Sequence, residues 1–138
     1  MIRFVVLTCF AAFPAAAADL NVSIYGGIPS TGQVLAALFA SEEDWMKTPA
    51  AEQTVPIDQR GGAQLGFPNL LPGSYAISVV YDEDSDGELD LNLFGIPSEG
   101  FGFSNDARAS FGPPKWRKTR FEISEGTTAI NIRLDRAD

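Results

Sequence analysis

Apolar and polar residues alternate along much of the chain after residue 20, and a period of two predicts strands that bury one face. Between Tyr75 and Tyr81 the intervening positions are mostly apolar as well, so this strand is expected at the centre of a sheet. The last predicted strand has Asn131 and Arg133 between its apolar residues and is expected to face water on one side. The alternating apolar sets are Val22 and Ile24; Ala63, Leu65 and Phe67; Tyr75, Ile77, Val79 and Tyr81; Phe121 and Ile123; and Ile130, Ile132 and Leu134.

Residues 34–40 are apolar without clear alternation, and their short run between Gly32 and Ser41 favours a strand over a helix. Three acids follow Ser41, which predicts an N-capped helical turn. Phe39 and Trp45 are expected to be core residues. Gly and Pro pairs interrupt the pattern elsewhere, and no long helical period is present. Short strands separated by turns predict an all-β fold, an antiparallel β-sandwich of about seven strands.

The first 18 residues have the organisation of a secretory signal peptide, with Arg3, an apolar run, and small residues at Ala16 and Ala18. This predicts cleavage after Ala18 and a single β-sandwich domain at residues 19–138. A membrane anchor is the alternative, but residues 4–18 fall short of the roughly 20 apolar residues that a spanning helix needs. The protein is therefore expected to be periplasmic or secreted, with no membrane insertion after signal cleavage.

The mature chain would contain neither cysteine nor histidine, because Cys9 lies in the predicted signal peptide and the sequence has no histidine. Disulfides, Ser-His-Asp or Cys-His catalysis, and zinc bound by imidazole or thiolate are therefore excluded. The net charge of −8 also argues against binding to nucleic acid or anionic lipid, which carry the same sign of charge. These observations predict a protein that is not an enzyme.

A cluster of acids at residues 82–90 has the spacing of calcium ligands. Alternate carboxylates on a curled loop can direct their oxygens to one cation, and Gly87 permits the sharp turn. The carboxylates follow the first, third, fifth and ninth positions of the twelve-position calcium loop, and a backbone carbonyl serves at the seventh. The predicted ligands of a Ca²⁺ ion in this loop are Asp82, Asp84, Asp86, Glu88 and Asp90. A solvated acidic turn that needs no metal is the alternative interpretation.

The loop departs from the calcium pattern at its twelfth position, where Leu93 stands in place of a bidentate glutamate. Another residue must then supply oxygens, and Glu99 is the nearest candidate in sequence, with Asn92 as an alternative. A strand enters the loop through Tyr81 where an EF-hand needs a helix, so the motif is not an EF-hand. Extracellular calcium sites bind at about 10⁻⁴ to 10⁻³ M, which favours a structural role over sensing.

Two further segments have both a structural and a functional interpretation. Residues 115–120 form a basic run around Trp116, interpreted as the solvated side of a strand that is attracted to the acidic loop. A sugar or anion bound on Trp116 is the alternative. Residues 95–104 place Phe101 and Phe103 among glycines, which favours packing under a long loop over lining a ligand groove.

The segment LLPGSYAI at residues 70–77 resembles the turn-then-strand signature of transthyretin-like and other immunoglobulin-like sandwiches. With the acidic loop and GIPSEGFGFSN at residues 95–105, it makes the chain similar to the bacterial secreted family catalogued as domain of unknown function 2141. The resemblance implies a secreted or periplasmic sandwich and no activity. Similar proteins carry Glu and Gly at the places of Glu99 and Gly100, which implies that Glu99 is a partner of the loop. Many relatives have a more amide-rich loop.

The sequence thus predicts an exported, non-enzymatic β-sandwich whose acidic loop is ordered by Ca²⁺ and which has a structural or binding role in the periplasm or envelope. Its partner is expected to be a protein or a glycan. One alternative is a carboxylate-dependent hydrolase of envelope polysaccharide, which a cleft with two carboxylates about 5 to 9.5 Å apart would favour. The other is an adhesion or scaffold subunit, which an exposed apolar patch or an unpaired strand edge would favour.

Overall fold

The computed structural model describes residues 17–85 and 100–136, and its regular structure is almost all strand. Residues 1–16, which hold most of the predicted signal peptide, lie outside the described residues. The strands are β1 (Ala18–Tyr25), β2 (Gln33–Phe39), β3 (Ala51–Pro56), β4 (Ala63–Leu70), β5 (Gly73–Asp82), β6 (Phe101–Phe103), β7 (Phe121–Ile123) and β8 (Gly126–Arg133). Two short helical pieces are a 3₁₀ turn (Ser104–Asp106) and α1 (Trp116–Thr119). None of the helices in the described part is long and apolar enough to cross a membrane.

One sheet has three strands in the order β4-β1-β8, with β1 antiparallel to β4 and parallel to β8. Val22 pairs with Leu65 on one side and with Ile130 on the other, so the alternating apolar sets of the sequence share one face. Ala18 is the first residue of β1 and is fully buried. Cleavage after Ala18 would therefore leave this strand to begin at Asp19.

The second sheet has the order β3-β2-β5-β6, and β7 pairs with β5 as well. Tyr75, near the start of β5, pairs with Phe121 of β7, whereas Val80, near its end, pairs with Phe101 of β6. The central position predicted for β5 is confirmed, and so is the strand predicted for residues 34–40, which forms most of β2.

The two sheets face each other across one apolar core, so the all-β sandwich is confirmed, with eight strands in the described residues where about seven were expected. Its most deeply buried large side chains include Leu20, Val22, Ile24, Leu38, Ile77, Val79, Tyr81, Ile123 and Ile132. A second, smaller cluster packs Phe39, Ala76, Trp116 and Trp45 together. Ala76 alternates with the core residue Ile77 along β5, which puts this cluster on the opposite face of the sheet. The prediction that Phe39 and Trp45 are packing residues is confirmed.

The sheets are also joined along their sides. On one side Phe101 and Asp135 form an isolated bridge, in which the two backbone N–H groups donate to the partner carbonyls at 3.0 and 2.7 Å. Gly102 permits this close approach, because a Cβ there would lie 2.7 Å from the carbonyl oxygen of Arg133. On the other side the amide of Gln53 donates to the carbonyl of Gly66.

The prediction that residues 115–120 form one side of a strand is wrong. Residues 116–119 form α1, and the strand β7 begins only after it, at Phe121. Trp116 and Thr119, which are both buried, lie three positions apart, a spacing that one helical turn brings to the same face. The exposed residues Lys115 and Arg117 on either side of Trp116 imitate the alternation of a strand over this short distance.

The predicted cap at Ser41 is present, because its hydroxyl accepts a hydrogen bond from the N–H of Asp44 at 3.2 Å. The chain continues from there as hydrogen-bonded turns rather than as a helix. At the turn before β5, the Tyr75 hydroxyl donates to the carbonyl of Leu71 at 2.5 Å. This contact resembles the tyrosine corner of immunoglobulin-like sandwiches.

Candidate metal site and the two ends of strand β5

The predicted calcium loop begins at Asp82, the last residue of β5. Asp82 pairs with Gln33 at the start of β2 and is fully buried. The Gln33 amide Nε2 donates to Asp82 Oδ2 at 2.8 Å. This hydrogen bond from a neutral amide fixes the position of Asp82 where the chain enters the acidic loop.

The backbone around Asp82 is held against the connection between β1 and β2. Gly32 has φ +76°, and a Cβ at this residue would lie 2.5 Å from the carbonyl oxygen of Asp82. The Tyr81 hydroxyl donates to the carbonyl of Thr31 at 2.7 Å and accepts from the N–H of Ile28 at 3.1 Å. These contacts give the chain a fixed direction where it enters the acidic loop.

The predicted ligands are divided between described and undescribed residues. Asp82 is buried, whereas Glu83 and Asp84 are exposed in a turn that leads to Ser85, a residue with φ +56°. Asp86, Glu88, Asp90 and Glu99 lie outside the described residues, as does the alternative ligand Asn92. Within residues 17–85 and 100–136, no group of three or more acidic side chains is arranged to hold a metal ion.

The two ends of the undescribed loop are connected by a hydrogen bond. The N–H of Tyr81 donates to the carbonyl of Gly100 at 2.7 Å. A Cβ on Gly100 would lie 3.3 Å from Cβ of Tyr81 and 2.9 Å from Cγ of Arg136, so a larger residue would crowd this junction. The chain therefore returns to the sandwich beside the residue that precedes Asp82.

The middle of β5 contacts a buried polar hub at Ser104, which sequence reasoning missed. Between the stretches paired with β6 and β7, the N–H of Ile77 donates to Ser104 Oγ at 3.0 Å. The same hydroxyl donates to the carbonyl of Thr119 at 2.6 Å, and both Ser104 and Thr119 are fully buried. Ser104 thus fills a gap in the ladder of β5 and attaches α1 to it.

The residues after Ser104 extend this hub to α1 and to β8. The Asn105 amide donates to the carbonyls of Lys118 and Arg120 at 3.1 and 2.9 Å, which satisfies free carbonyls at the end of α1. Asp106 Oδ1 accepts the N–H of Arg133 at 2.9 Å. Asn105 and Asp106 both have positive φ, of 61° and 48°, and these contacts hold the tight bend in place.

Trp116 belongs to the packing rather than to an open binding surface. Only 8% of it is exposed, and it packs on Phe39 and Ala76. Its ring centroid lies 6.3 Å from that of Trp45, whose Nε1 donates to the carbonyl of Pro114 at 2.8 Å. The alternative in which a sugar or anion stacks on Trp116 is therefore not supported. Phe103 is likewise buried, with its ring 6.2 Å from Trp45, which agrees with the packing interpretation for this residue; residues 95–99 lie outside the described residues.

The basic run lies near the opposite end of β5 from Asp82. β7, which follows α1 directly, pairs with Gly73, Ser74 and Tyr75. Seven residue steps separate Tyr75 from Asp82, about 23 Å of strand. Charges of opposite sign at that distance are largely screened by physiological salt, whose Debye length is about 8 Å. Attraction to Asp82 therefore does not explain the positive charge of residues 115–120.

A small polar cleft of about 140 Å³ lies where β1 and β8 end. It is lined by Tyr25, Asp106, Ala107, Arg108, Arg133 and Asp135.

Elsewhere, Asp58 accepts the backbone N–H groups of Gly62 and Arg60 at 3.0 and 2.8 Å. These bonds lower the pKa of the Asp58 carboxyl, the Gly62 bond most of all, because they stabilise its charged form. Asp58 therefore serves its own loop as an internal cap.

Comparison with known proteins places the chain in a bacterial family. The crystal structure of the major plantain pollen allergen Pla l 1 is 12% identical, covers 89% of this chain and 98% of its own, and superposes with a TM-score of 0.35, which is too low to carry an argument. No curated protein matches the chain significantly. Residues 22–131 match the family described as "Uncharacterized protein conserved in bacteria (DUF2141)", a description that names no enzymatic activity. The chain therefore belongs to this family, as its motifs predicted.

Proposed function

We propose that this protein is an exported, non-catalytic β-sandwich module that binds Ca²⁺ in its acidic loop and has a structural or binding role in the periplasm or envelope. The protein ligands would be carboxylates and a backbone carbonyl, which are the oxygen donors that Ca²⁺ prefers. The proposed ligands are Asp82, Asp84, Asp86, Glu88, Asp90 and Glu99.

The observation that carries the proposal is the buried carboxylate of Asp82 at the start of a run of further acids. Gln33 holds Asp82 Oδ2 in place with a hydrogen bond at 2.8 Å. The acids that follow Asp82 repel one another, because they carry the same sign of charge at close spacing. A Ca²⁺ ion bound by Asp82 and these acids would place positive charge among them and relieve this repulsion.

The junction of the loop supports Glu99 as a further ligand. Gly100 directly follows Glu99, and its carbonyl accepts the N–H of Tyr81, which directly precedes Asp82. The two ends of the loop are thus adjacent in the fold, although 16 residues, 83–98, separate Asp82 from Glu99 in sequence. This arrangement favours a site closed by carboxylates from both ends of the loop, which a loop lacking the bidentate glutamate would require.

Thermal unfolding of the mature chain tests the proposal. A ligand that binds only the folded state raises the unfolding midpoint, so Ca²⁺ added after EDTA must raise it in the wild type. Asp82→Ala and Asp86→Ala are expected to lose this response, and Asp58→Ala, which changes a carboxylate with its own backbone partners, is expected to keep it. A wild-type midpoint that millimolar Ca²⁺ leaves unchanged would refute calcium binding.

A further inference from the structure

Phe111 is a fully exposed aromatic residue at the tip of the loop between the 3₁₀ turn and α1. Its backbone has a positive φ of 55°, and Gly112 and Pro113 follow it. A ring in this position contributes nothing to the core and keeps its whole apolar surface in water. The exposure therefore calls for an explanation other than packing.

The sequence on both sides of Phe111 carries positive charge. Residues 107–121, which we call the basic segment, contain no acidic residue. Its cations, all of them exposed, are Arg108, Lys115, Arg117, Lys118 and Arg120. Arg120 forms an ion pair with Glu122 at 3.5 Å, and the other four form no ion pair with any described residue. Four positive side chains are thus available to an external anion.

The basic segment is attached to the sandwich by its buried residues. The carbonyl of Pro114 accepts the Trp45 indole N–H at 2.8 Å, Trp116 packs on the outer cluster, and Asn105 holds two carbonyls at the end of α1. Pro114, Trp116 and Thr119 are buried while the cations point outward. The arrangement of these charges is therefore set by the fold before any partner binds.

The net charge of −8, which argues against binding to anionic lipid, does not reveal this local positive surface. Six acids are concentrated at residues 82–90, at and beyond the far end of β5, so the negative average says little about the region near α1. Glu42 and Glu43 lie in the neighbouring turn that carries Trp45, and no ion pair within the described residues links them to the basic segment. The region near α1 can therefore meet an anionic surface, because Asp82 lies at the other end of β5.

We propose that Phe111 and the basic segment bind the surface of an anionic phospholipid bilayer. A Phe ring can enter the boundary between the headgroups and the acyl chains of a bilayer, and each Lys or Arg near an anionic surface strengthens binding about fivefold. An acidic polysaccharide or protein could bind the same cations, but it would not use one isolated, fully exposed ring. Phe111 therefore favours a bilayer as the partner. In this proposal the protein binds the surface of the bilayer and does not cross it.

Vesicle sedimentation tests this proposal. The mature chain, kept in EDTA so that Ca²⁺ cannot bridge acids to phosphates, is mixed with vesicles of phosphatidylcholine alone or with phosphatidylglycerol added. Binding is expected only to the anionic vesicles and is expected to disappear at about 1 M salt. Phe111→Ser should weaken it about tenfold and Lys115→Gln about fivefold. Ile28→Ser and Arg60→Gln change an exposed apolar residue and an exposed cation elsewhere, and they should leave binding unchanged.

Fluorescence supplies a second measurement at the same position. Phe111→Trp should bind as the wild type does, and its emission should move to shorter wavelength with anionic vesicles, because the ring leaves water. Equal binding to both vesicle types would overturn the proposal. So would wild-type affinity in Phe111→Ser, because an acidic polymer or protein, and not a bilayer, would then be the partner that the cations serve.

Discussion

In the first half of β5, residues 73–77, the buried polar groups are hydrogen-bonded to partners within the chain. Ser104 joins β5 to α1, and Asn105 satisfies the carbonyls that α1 leaves free. At the last residue, Asp82, a carboxylate is buried at the start of a run of further acids. One half of the strand is thus joined to its neighbours by hydrogen bonds and packing within the chain, whereas its last residue begins the acidic run for which a Ca²⁺ site is proposed.

The largest effect is expected at the end near α1, where packing is complete. Trp116→Ala should lower the free energy of unfolding by about 3 to 5 kcal/mol, because it removes a large buried ring that packs on Phe39 and Ala76. Urea denaturation measures this change. Phe111→Ala is the matched control in the same segment and should stay within about 0.5 kcal/mol of the wild type, since Phe111 is fully exposed. Equal losses in the two variants would contradict this account of the packing.

The hydrogen-bonded hub gives the next effect. Ser104→Ala removes both the acceptor for Ile77 and the donor to Thr119, and each buried group left without a partner costs about 1 to 3 kcal/mol. We expect an unfolding free energy lower by about 2 to 4 kcal/mol, measured by urea denaturation. Ser110→Ala, at an exposed serine, serves as the control. A Ser104→Ala variant as stable as its control would show that this end of β5 does not depend on the hub.

At the acidic end of β5, a comparison of Glu99 with Glu83 tests which glutamate binds Ca²⁺. At a Ca²⁺ concentration one hundred times the dissociation constant, binding should stabilise the wild type by about 2.7 kcal/mol. Glu99→Gln should reduce this gain more than Glu83→Gln does, because only Glu99 is a proposed ligand. Thermal unfolding with and without Ca²⁺ measures both variants. Equal reductions would remove Glu99 from the site.

The smallest effect is expected at Asp58, whose carboxylate accepts hydrogen bonds from backbone N–H groups. The lowered pKa of Asp58 means that its charged form stabilises the fold above its ordinary pKa of 3.8, and that this contribution is lost as the pH falls through the lower folded value. Asp58→Asn keeps an acceptor without the charge, so its unfolding midpoint should lie below that of the wild type at neutral pH. The difference should close in acid. A difference independent of pH would contradict the role given to the Asp58 charge.

The sequence predicted the parts of the fold that repeat. Alternation along β1, β4 and β8 reflects one buried face and was enough to predict these strands. The mostly apolar intervening positions of β5 reflect burial of both its faces and predicted its central place. It failed at α1, because a helix of four residues is too short to display its own period. Ser104 left no periodic signal, since its partners Ile77 and Thr119 lie 27 and 15 residues away.

The candidate site was predicted from spacing alone, and the structure adds the burial and the hydrogen bond of its first residue, Asp82. Spacing singled out Asp82, but the burial of this residue and its hydrogen bond to Gln33, 49 residues away, depend on strand pairing that no local pattern encodes. The contact between Tyr81 and Gly100 is of the same kind. Calcium binding stays a prediction for Asp82 as for the other acids, and Asp86, Glu88, Asp90 and Glu99 lie outside the described residues.

Isothermal titration calorimetry of the mature chain with Ca²⁺ tests the central claim most directly. We expect one ion per chain in the wild type and in Asp58→Asn, with a dissociation constant of about 10⁻³ M or tighter. Asp82→Asn, which keeps an acceptor for Gln33 but removes the charge, should lose this binding. No heat beyond dilution at millimolar Ca²⁺ in the wild type, or equal binding by Asp82→Asn, would contradict the assignment of the acidic end of β5 as a calcium site.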